Sequence, residues 1–262
     1  MKKKLLIVLN DSLSDIIEKG EVVKRYYNPK NYFNEIHFIL INQNKIKNLR
    51  KLKMMTGKAT KTMVADRITT RVSVIGRGEP LLMFSPGGFD ATLEKWSELG
   101  IYKRIDIMHY LAERFTCILF DRRECGESGG RLEILDFTGM ARHGRAVMEQ
   151  LGFESVHLLG GCLGCAPAAE FARLYPAMTQ SLNLVWPVGG AKYRIRNFGR
   201  FATHLGWVTE HGKDALIERA LASDVGFAKD STLGPWGGAL RVDAGLLDSF
   251  KACDQADYLR LV

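Results

Sequence analysis

The chain has 262 residues, of which 46% are hydrophobic and 25% charged, so it can bury a substantial core in one or two globular domains. Its formal net charge is +8, but residues 1–53 hold 12 Lys and Arg against 5 Asp and Glu, whereas residues 54–262 hold 25 against 24. The basic stretch carries few interleaved aromatic residues and no binding motif, which indicates a solvated face. We therefore expect no nucleic-acid partner.

Cysteine usage and hydropathy indicate the compartment. There are five cysteines, an odd number, and the opening apolar run at residues 5–9 is too short for a secretory leader. We therefore expect no disulfide framework and predict a cytoplasmic location. No apolar stretch approaches the length that spans a bilayer, so we also predict no membrane partner.

A change of composition near residue 53 indicates that two segments of different origin are joined. Residues 1–53 contain no alanine and seven asparagines, whereas residues 54–262 contain 21 alanines and only two asparagines. Met54 and Met55 stand at the change, and the sequence after them is typical of the beginning of a protein. The pattern predicts a chimeric chain with an amino-terminal fragment at 1–53.

The first segment has strand-like runs of its own. The continuous apolar runs KLLIVL and EIHFILIN are typical of buried parallel strands, and SDIIEKGEVVKRYY between them predicts a crossover helix. Residues 1–53 resemble the start of the amino-terminal domain of GT-B glycosyltransferases. The resemblance implies a short βαβ-like appendage of glycosyltransferase ancestry, without glycosyltransferase activity.

The second segment alternates strand and helix signals, which predicts an α/β fold with a mostly parallel sheet covered on both faces. After Gly190 the pattern changes to helices and loops, which predicts a core at 54–190 and an incomplete helical lid at 191–262. The predicted strands are TRVSVIG, PLLMFSPGG, FTCILFD, SVHLLGG and SLNLVWP, and the predicted helices lie near Lys103–Arg114, Phe137–Leu151 and Ala166–Tyr175.

The motif GGCLG joins a predicted strand to a predicted helix. Its spacing fits a nucleophile elbow with Cys162 as the nucleophile and with Gly160 and Gly164 two positions before and after it. The turn is so sharp that side chains at these two positions would collide with the neighbouring backbone. Because Cys162 would face the positive end of the helix dipole, we expect it to be more reactive than a surface cysteine.

Three motifs, in the order in which they occur along the chain, resemble those of α/β-hydrolase fold enzymes. The resemblance covers about residues 60–262. The first is the elbow, and the second is CILFDRRECGES at Cys117–Ser128, in which Glu124 stands where glycine is usual. The third is LLMFSPGGFDATLEKW, in which Ser85–Gly88 takes the place of the family's His-Gly turn. The resemblance implies an α/β-hydrolase core with a lid.

Carried over to this sequence, the resemblance implies that Cys162 attacks a carbonyl carbon. The backbone N–H groups of Leu163 and of Gly88 or Phe89 would form the oxyanion hole. The implied activity is hydrolysis of a small-molecule ester, thioester or carbon–carbon bond through a covalent intermediate. No metal, nucleotide or flavin cofactor is implied, and the substrate's identity and the oligomeric state stay open.

Other functions remain as alternatives. The same covalent chemistry supports acyl transfer to an acceptor other than water. Cys162 and Cys165 also form a C-x-x-C at a helix start, the arrangement of redox dithiols. Alternatively, Cys162 is a small buried residue at a close contact between helix and strand, the role that we predict for Cys165. An inactive glycosyltransferase fragment is the last alternative.

The general base is the missing part of this site. In the α/β-hydrolase family an acid and then a histidine follow the nucleophile, on later strands that this sequence lacks. The only histidines after Cys162 are His204 and His211, in the predicted lid, where Asp214 or Glu210 would orient one of them. We therefore expect a hydrolase without an identifiable catalytic histidine, truncated at Val262 and without activity in this form unless the lid supplies a base.

Two further expectations concern the other histidines and the last predicted strand. The remaining histidines are expected to pack or to lie on the surface: His37, His109, His143 and His157. Without the later strands, the strand at Ser181–Trp186 is expected to be an exposed sheet edge, which the amino-terminal runs would either cover or leave open.

Overall fold

The computed structural model describes residues 4–9, 35–40 and 60–262. The crossover helix predicted within residues 14–27 and the Met-Met boundary at 54–55 lie outside the described residues. The strands are Lys4–Leu9 (β1), Glu35–Leu40 (β2), Thr60–Ala65 (β3), Ile68–Gly76 (β4), Glu79–Phe84 (β5), Phe115–Phe120 (β6), Val156–Gly161 (β7) and Thr179–Val185 (β8).

The eight strands of the described residues form one mixed sheet in the order β2-β1-β8-β7-β5-β6-β4-β3. Every neighbouring pair from β2 across to β6 is parallel, and only β4 and β3 run antiparallel to their neighbours. The predicted mostly parallel sheet is therefore confirmed. The helices are Lys95–Glu98 (α1), Gly100–Arg104 (α2), Ile107–Ala112 (α3), Phe137–Gln150 (α4), Cys165–Leu174 (α5), Ala191–His211 (α6), Lys213–Ala222 (α7), Ala244–Ala252 (α8) and Gln255–Leu261 (α9).

The central strand β5 shows why the sheet is covered on both faces. Alternate side chains of a strand point to opposite faces, and in β5 both sets are buried. Leu82 and Phe84 pack with α4 and α5 on one face, whereas Leu81 and Met83 pack with α1 to α3 on the other. The continuous apolar run in the sequence is thus the signature of a strand buried between two helical layers.

Of the two alternatives for the edge at β8, covered or left open by the amino-terminal runs, the structure shows the covered one, because β1 occupies that edge. The two strands pair in parallel with Leu5 opposite Leu182 and Val8 opposite Val185, and β2 pairs with the other side of β1. Ile7 is fully buried in the same apolar cluster as the β8 side chains. The amino-terminal runs therefore extend the sheet, while the division of the chain at residue 53 stays a prediction.

Residues 191–262, called here the helical region, form a second apolar cluster that contains Trp236, Phe250 and Tyr258. Within the described part of the chain, only helices and turns follow β8, as the sequence predicts. The Trp236 indole Nε1 donates to the carbonyl of Arg131 at 2.9 Å, which joins this cluster to the core. Among the described residues, no helix is long and apolar enough to cross a membrane.

Candidate active site

Cys162 lies at the sharp turn between β7 and α5. Its φ is 51°, in the left-handed region that non-glycine residues rarely adopt, and a short 3-10 turn at Cys162–Gly164 leads into the helix. The side chain is partly exposed. The strand, turn and helix predicted from GGCLG are all present, and the strained φ lifts Cys162 out of the strand.

The two flanking glycines cannot carry a side chain. A Cβ on Gly160 would stand 2.7 Å from the Cα of Cys165, and a Cβ on Gly164 would stand 2.1 Å from the carbonyl oxygen of Phe84. Both obstacles are backbone atoms, so no change of rotamer would relieve the clash. The close approach of the elbow to β5 and α5 thus explains the small residues on either side of Cys162.

A second turn faces the elbow. Residues Gly88–Asp90 form a short 3-10 turn that lies against the turn at Cys162–Gly164. Gly87 and Gly88 adopt φ values of 119° and 62°, and the N–H of Asp90 donates to the carbonyl of Gly87 at 3.0 Å. The structure thus brings together the two turns that carry the predicted oxyanion donors, the backbone N–H groups of Gly88, Phe89 and Leu163.

Aromatic side chains surround the elbow on the β8 side. The Tyr102 hydroxyl donates to the carbonyl of Val185 at 3.2 Å, and the N–H of Cys162 faces the same hydroxyl. The Tyr102 ring meets Trp96 and Trp186 edge to face, with centroids 5.0 and 5.8 Å apart. Burial raises the pKa of Tyr102, which therefore stays a neutral anchor for the elbow.

Cys165 is a buried packing residue, as predicted. Its thiol donates to the carbonyl oxygens of Gly160 at 3.1 Å and Val185 at 3.5 Å. Burial raises the pKa of the Cys165 thiol, so it remains protonated. Both Cys162 and Cys165 are free thiols in this structure, and the hydrogen bonds of Cys165 lead to the strands.

The two candidate bases make their contacts within the helical region. Fully buried His204 hydrogen-bonds the Thr232 carbonyl through Nδ1 at 2.7 Å and the Tyr258 hydroxyl through Nε2 at 2.5 Å, and burial lowers its pKa. Exposed His211 stacks on the Trp207 ring at 4.6 Å. These contacts do not bring either histidine to Cys162.

The proposed orienting acids also lie outside the site. Asp214 is 94% exposed and its nearest cation is the ammonium of Lys213 at 3.6 Å. Glu210 is 3.9 Å from Nδ1 of the exposed His211. The described contacts of both acids therefore stay within the helical region.

His143 and His157 have the structural roles expected of them. Nε2 of His143 hydrogen-bonds Thr70 Oγ1 at 2.8 Å, and its Nδ1 accepts from the N–H of Arg123 at 3.4 Å. His157 hydrogen-bonds Ser181 and Glu79 at the start of β7, the end of that strand remote from the elbow. Burial together with nearby arginines lowers the pKa of His143 to about 3, so the ring is neutral.

The pKa of His143 predicts how stability depends on pH. Because its pKa is lower in the folded chain than in the unfolded chain, the unfolded state takes up a proton first, and the free energy of unfolding falls as the pH drops below about 6.5. We expect His143 alone to contribute a slope of up to about 1.4 kcal/mol per pH unit. Urea unfolding between about pH 7.5 and 5 measures it, and His143→Gln should flatten the slope. An unchanged slope in the variant would contradict the prediction.

The turn after β6 contains an ion-pair network that the sequence does not reveal. Buried Asp121 accepts from the N–H groups of Leu93 and Glu127, both at 2.9 Å. Glu124 adopts a φ of 64°, and its carboxylate binds Arg123 Nε at 2.8 Å. A left-handed φ is the conformation that glycine adopts most readily, and here a glutamate adopts it while forming an ion pair with buried Arg123.

A cavity of about 210 Å³ lies between the core and the helical region. Its walls include Phe89 of the second turn, Cys125 of the turn after β6, and Phe227 and Arg241 of the helical region. Phe89 packs edge to face on Phe227 at 4.8 Å. The cavity thus reaches Phe89, whose backbone N–H is one of the predicted oxyanion donors. Among the described residues, no cluster of His, Cys, Asp and Glu could hold a metal ion.

Comparisons of sequence and of structure show which known proteins this chain resembles. The sequence profile of the α/β-hydrolase fold matches residues 80–190. A candidate epoxide hydrolase from Pseudomonas aeruginosa aligns with a TM-score of 0.50 and 20% identity, covering 77% of this chain and 76% of that chain. A candidate α/β hydrolase from a Nostoc species aligns with a TM-score of 0.48 and 18% identity, covering 73% of this chain and 74% of that chain.

A curated relative from Cupriavidus necator, the dihydrolipoyllysine-residue acetyltransferase component of an acetoin cleaving system, is 29% identical over 124 residues. The match covers 47% of this chain and 31% of the relative's length. The profile match contains both the second turn and the elbow, and the aligned Pseudomonas aeruginosa structure covers about three quarters of this chain. This chain therefore has the α/β-hydrolase fold.

Proposed function

We propose that the chain belongs to the hydrolases that act on a small carbonyl substrate, with a covalent intermediate on Cys162. The observation that carries the proposal is the position of Cys162, a partly exposed thiol at a φ of 51° directly opposite the turn at Gly88–Asp90. A nucleophile held on such a turn approaches a carbonyl carbon whose oxygen points at backbone N–H groups.

The proposed reaction has two steps. The Cys162 thiolate attacks the carbonyl carbon, and the N–H groups of Leu163 and of Gly88 or Phe89 stabilise the oxyanion, each worth about 3 to 4 kcal/mol of the barrier. The C–O, C–S or C–C bond to the leaving group then breaks, the leaving group takes up a proton, and an acyl thioester remains on Cys162. Water attacks that thioester, which releases the acid and restores the thiol.

The base for the second step is proposed to come from the helical region acting as a lid. His204 would first have to give up its hydrogen bonds to Thr232 and Tyr258, which hold it inside the apolar cluster. His211 is exposed, and it would have to leave the Trp207 ring and its hydrogen bond to the Trp207 carbonyl. Either histidine therefore reaches Cys162 only if the helical region moves.

Acyl transfer is the second candidate function. The relative from Cupriavidus necator is named as an acetyltransferase component, which favours an acceptor other than water. The two functions share the acyl thioester on Cys162 and differ only in what attacks it. Adding a thiol acceptor to the acylated protein separates them: transfer yields the acyl thioester of the acceptor, whereas hydrolysis yields free acid.

The test of the proposal is covalent capture by an activated ester. The protein is incubated with 4-nitrophenyl acetate, and intact-mass spectrometry with peptide mapping locates the acetyl group. We expect a single acetyl group on Cys162, because the thiolate is the nucleophile and the aryl oxide is a good leaving group.

Two cysteine variants provide the comparison for this capture. Cys162→Ala should lose the acetyl group, whereas Cys165→Ala should keep it, because the Cys165 thiol is buried against the strand carbonyls. Acetylation that persists in Cys162→Ala, or that maps to another residue, would refute the assignment of the nucleophile.

A further inference from the structure

The outward face of the first three turns of α6 is apolar. Ile195 and Phe198 are 71% and 74% exposed, and the exposed Ala191, Gly199 and Ala202 lie beside them. At about 100° per residue, these five positions fall within about 100° of the helix circumference. They form a continuous exposed band, called here the apolar strip.

The opposite face of the same helix packs against the rest of the chain. Phe201 packs edge to face on Phe89 at 5.5 Å, and His204 and Val208 are fully buried. A helix on the surface of a globular protein normally has one apolar face toward the core and a polar face toward water. The first half of α6 departs from that pattern, so the apolar strip needs a second apolar environment.

Positive charge borders the apolar strip on both sides. Arg194 and Arg196 project about 100° to either side of Ile195, and both are exposed. Among the described residues, neither arginine forms an ion pair, whereas Arg200 donates to the carbonyl of Ala228 at 2.8 Å. Residues 187–209 contain four Lys and Arg and no Asp or Glu.

We propose that the apolar strip docks on an anionic lipid surface, with the helix axis lying in the plane of the interface. An apolar band between two guanidinium groups suits this position, because the side chains of Ile195 and Phe198 enter the acyl boundary while Arg194 and Arg196 reach the phosphates. The absence of acidic residues from 187–209 removes the repulsion that such a surface would otherwise exert. The inference revises the sequence-based expectation of no membrane partner.

Docking would act on the candidate active site through Tyr193. Its hydroxyl lies 3.4 Å from the point where a Cβ on Gly88 would stand, so the first turn of α6 lies over the predicted oxyanion turn. Holding the apolar strip at a lipid surface would therefore fix or displace the part of the helical region that covers Gly88. The docking itself does not depend on the proposed reaction of Cys162.

Vesicle sedimentation tests the docking. The full chain is mixed with vesicles of phosphatidylcholine alone or of phosphatidylcholine with phosphatidylserine, and the bound fraction is measured as salt is raised. We expect binding to the anionic vesicles that weakens with salt, and little binding to phosphatidylcholine. The double variant Ile195→Ser with Phe198→Ser should lower the affinity at least about tenfold, and Arg194→Gln and Arg196→Gln about fivefold each.

Matched variants elsewhere on the surface make the result specific. Ile134→Ser and Val64→Ser change side chains that are 66% and 61% exposed but lie outside α6, and they should bind like the unchanged chain. All variants alter exposed side chains, so their melting temperatures should agree. The proposal is overturned if the unchanged chain does not bind anionic vesicles, or if the strip variants bind as well as the controls. It is also overturned if sedimentation velocity without lipid shows self-association that the strip variants abolish, because a second copy then covers the strip.

Discussion

Gly164→Ala should destabilise the chain by about 2 to 4 kcal/mol and remove the proposed acylation of Cys162. The added Cβ would stand 2.1 Å from the Phe84 carbonyl oxygen and 2.8 Å from that of Ser85, so the elbow must move away from the end of β5. Such a shift separates the two turns that carry the predicted oxyanion donors. Urea unfolding measures the loss of stability, and intact-mass spectrometry after treatment with 4-nitrophenyl acetate measures the loss of acylation.

Gly206→Ala is the matched control for this substitution. Gly206 lies within α6, and a Cβ added there would meet no heavy atom within 4 Å. Because alanine has a higher helix propensity than glycine, this variant should be more stable by up to about 1 kcal/mol. Two variants of the same chemical type are thus expected to change stability in opposite directions. Equal stability of Gly164→Ala and the unchanged chain would contradict the close packing of the elbow on β5.

Ile7→Asp should have the largest effect on folding. Ile7 is fully buried in the cluster that includes Leu182 and Leu184 of β8, so the change removes an apolar side chain from the core and buries a carboxylate without a partner. We expect a loss of at least about 4 kcal/mol and release of β1 from the sheet. The freed edge of β8 would then present unpaired backbone groups, which promotes aggregation. Urea unfolding and analytical ultracentrifugation measure the two effects.

Val64→Asp is the control at the opposite edge of the same sheet. Val64 lies on the outermost strand β3, and its side chain is 61% exposed. A charge on an exposed edge strand costs little, so the free energy of unfolding should change by no more than about 0.5 kcal/mol. If Ile7→Asp unfolded at the same urea concentration as Val64→Asp, the packing of β1 on β8 would not contribute to the free energy of unfolding.

The core of the fold could be predicted from the sequence because its strands are short apolar runs between turn residues. The strand β3 was missed because its hairpin carries an unusual signal. The turn between β3 and β4 consists of Asp66 and Arg67, both with positive φ, where Asn-Gly or Asp-Gly is typical. The helix predicted near Lys103–Arg114 is divided, because Asp106 adopts a φ of 48° between α2 and α3.

The pairing of β1 with β8 had no local signal. The residues that meet, such as Leu5 and Leu182, are far apart in the chain, and parallel pairing leaves no hairpin turn in the sequence. Both runs are typical of buried strands, but neither sequence indicates which strand it pairs with. The missing later strands therefore predicted an edge that the amino-terminal runs would either cover or leave open, and the three-dimensional structure shows that β1 covers it.

The candidate site, like the fold, has one part that could be predicted from the sequence and another that could not. The elbow could be predicted because the spacing of Gly160, Cys162 and Gly164 encodes the turn. The partners of His204 could not, because Thr232 and Tyr258 reach it through tertiary packing of the helical region. The apolar strip was also missed, since Ile195 and Phe198 are typical of a helix face turned toward a core. Burial in the folded chain decides which of the two faces of α6 is covered.

The direction of β1 has a practical consequence for attaching the protein to a support. Because β1 runs parallel to β7 through β8, its first residue, Lys4, lies at the opposite end of the strands from Cys162. A six-residue strand is about 20 Å long, so an affinity tag or fluorescent fusion joined ahead of Lys4 would enter the fold on the far side of the sheet from the thiol. Immobilisation through that end leaves the end of the sheet that carries Cys162 facing the solution.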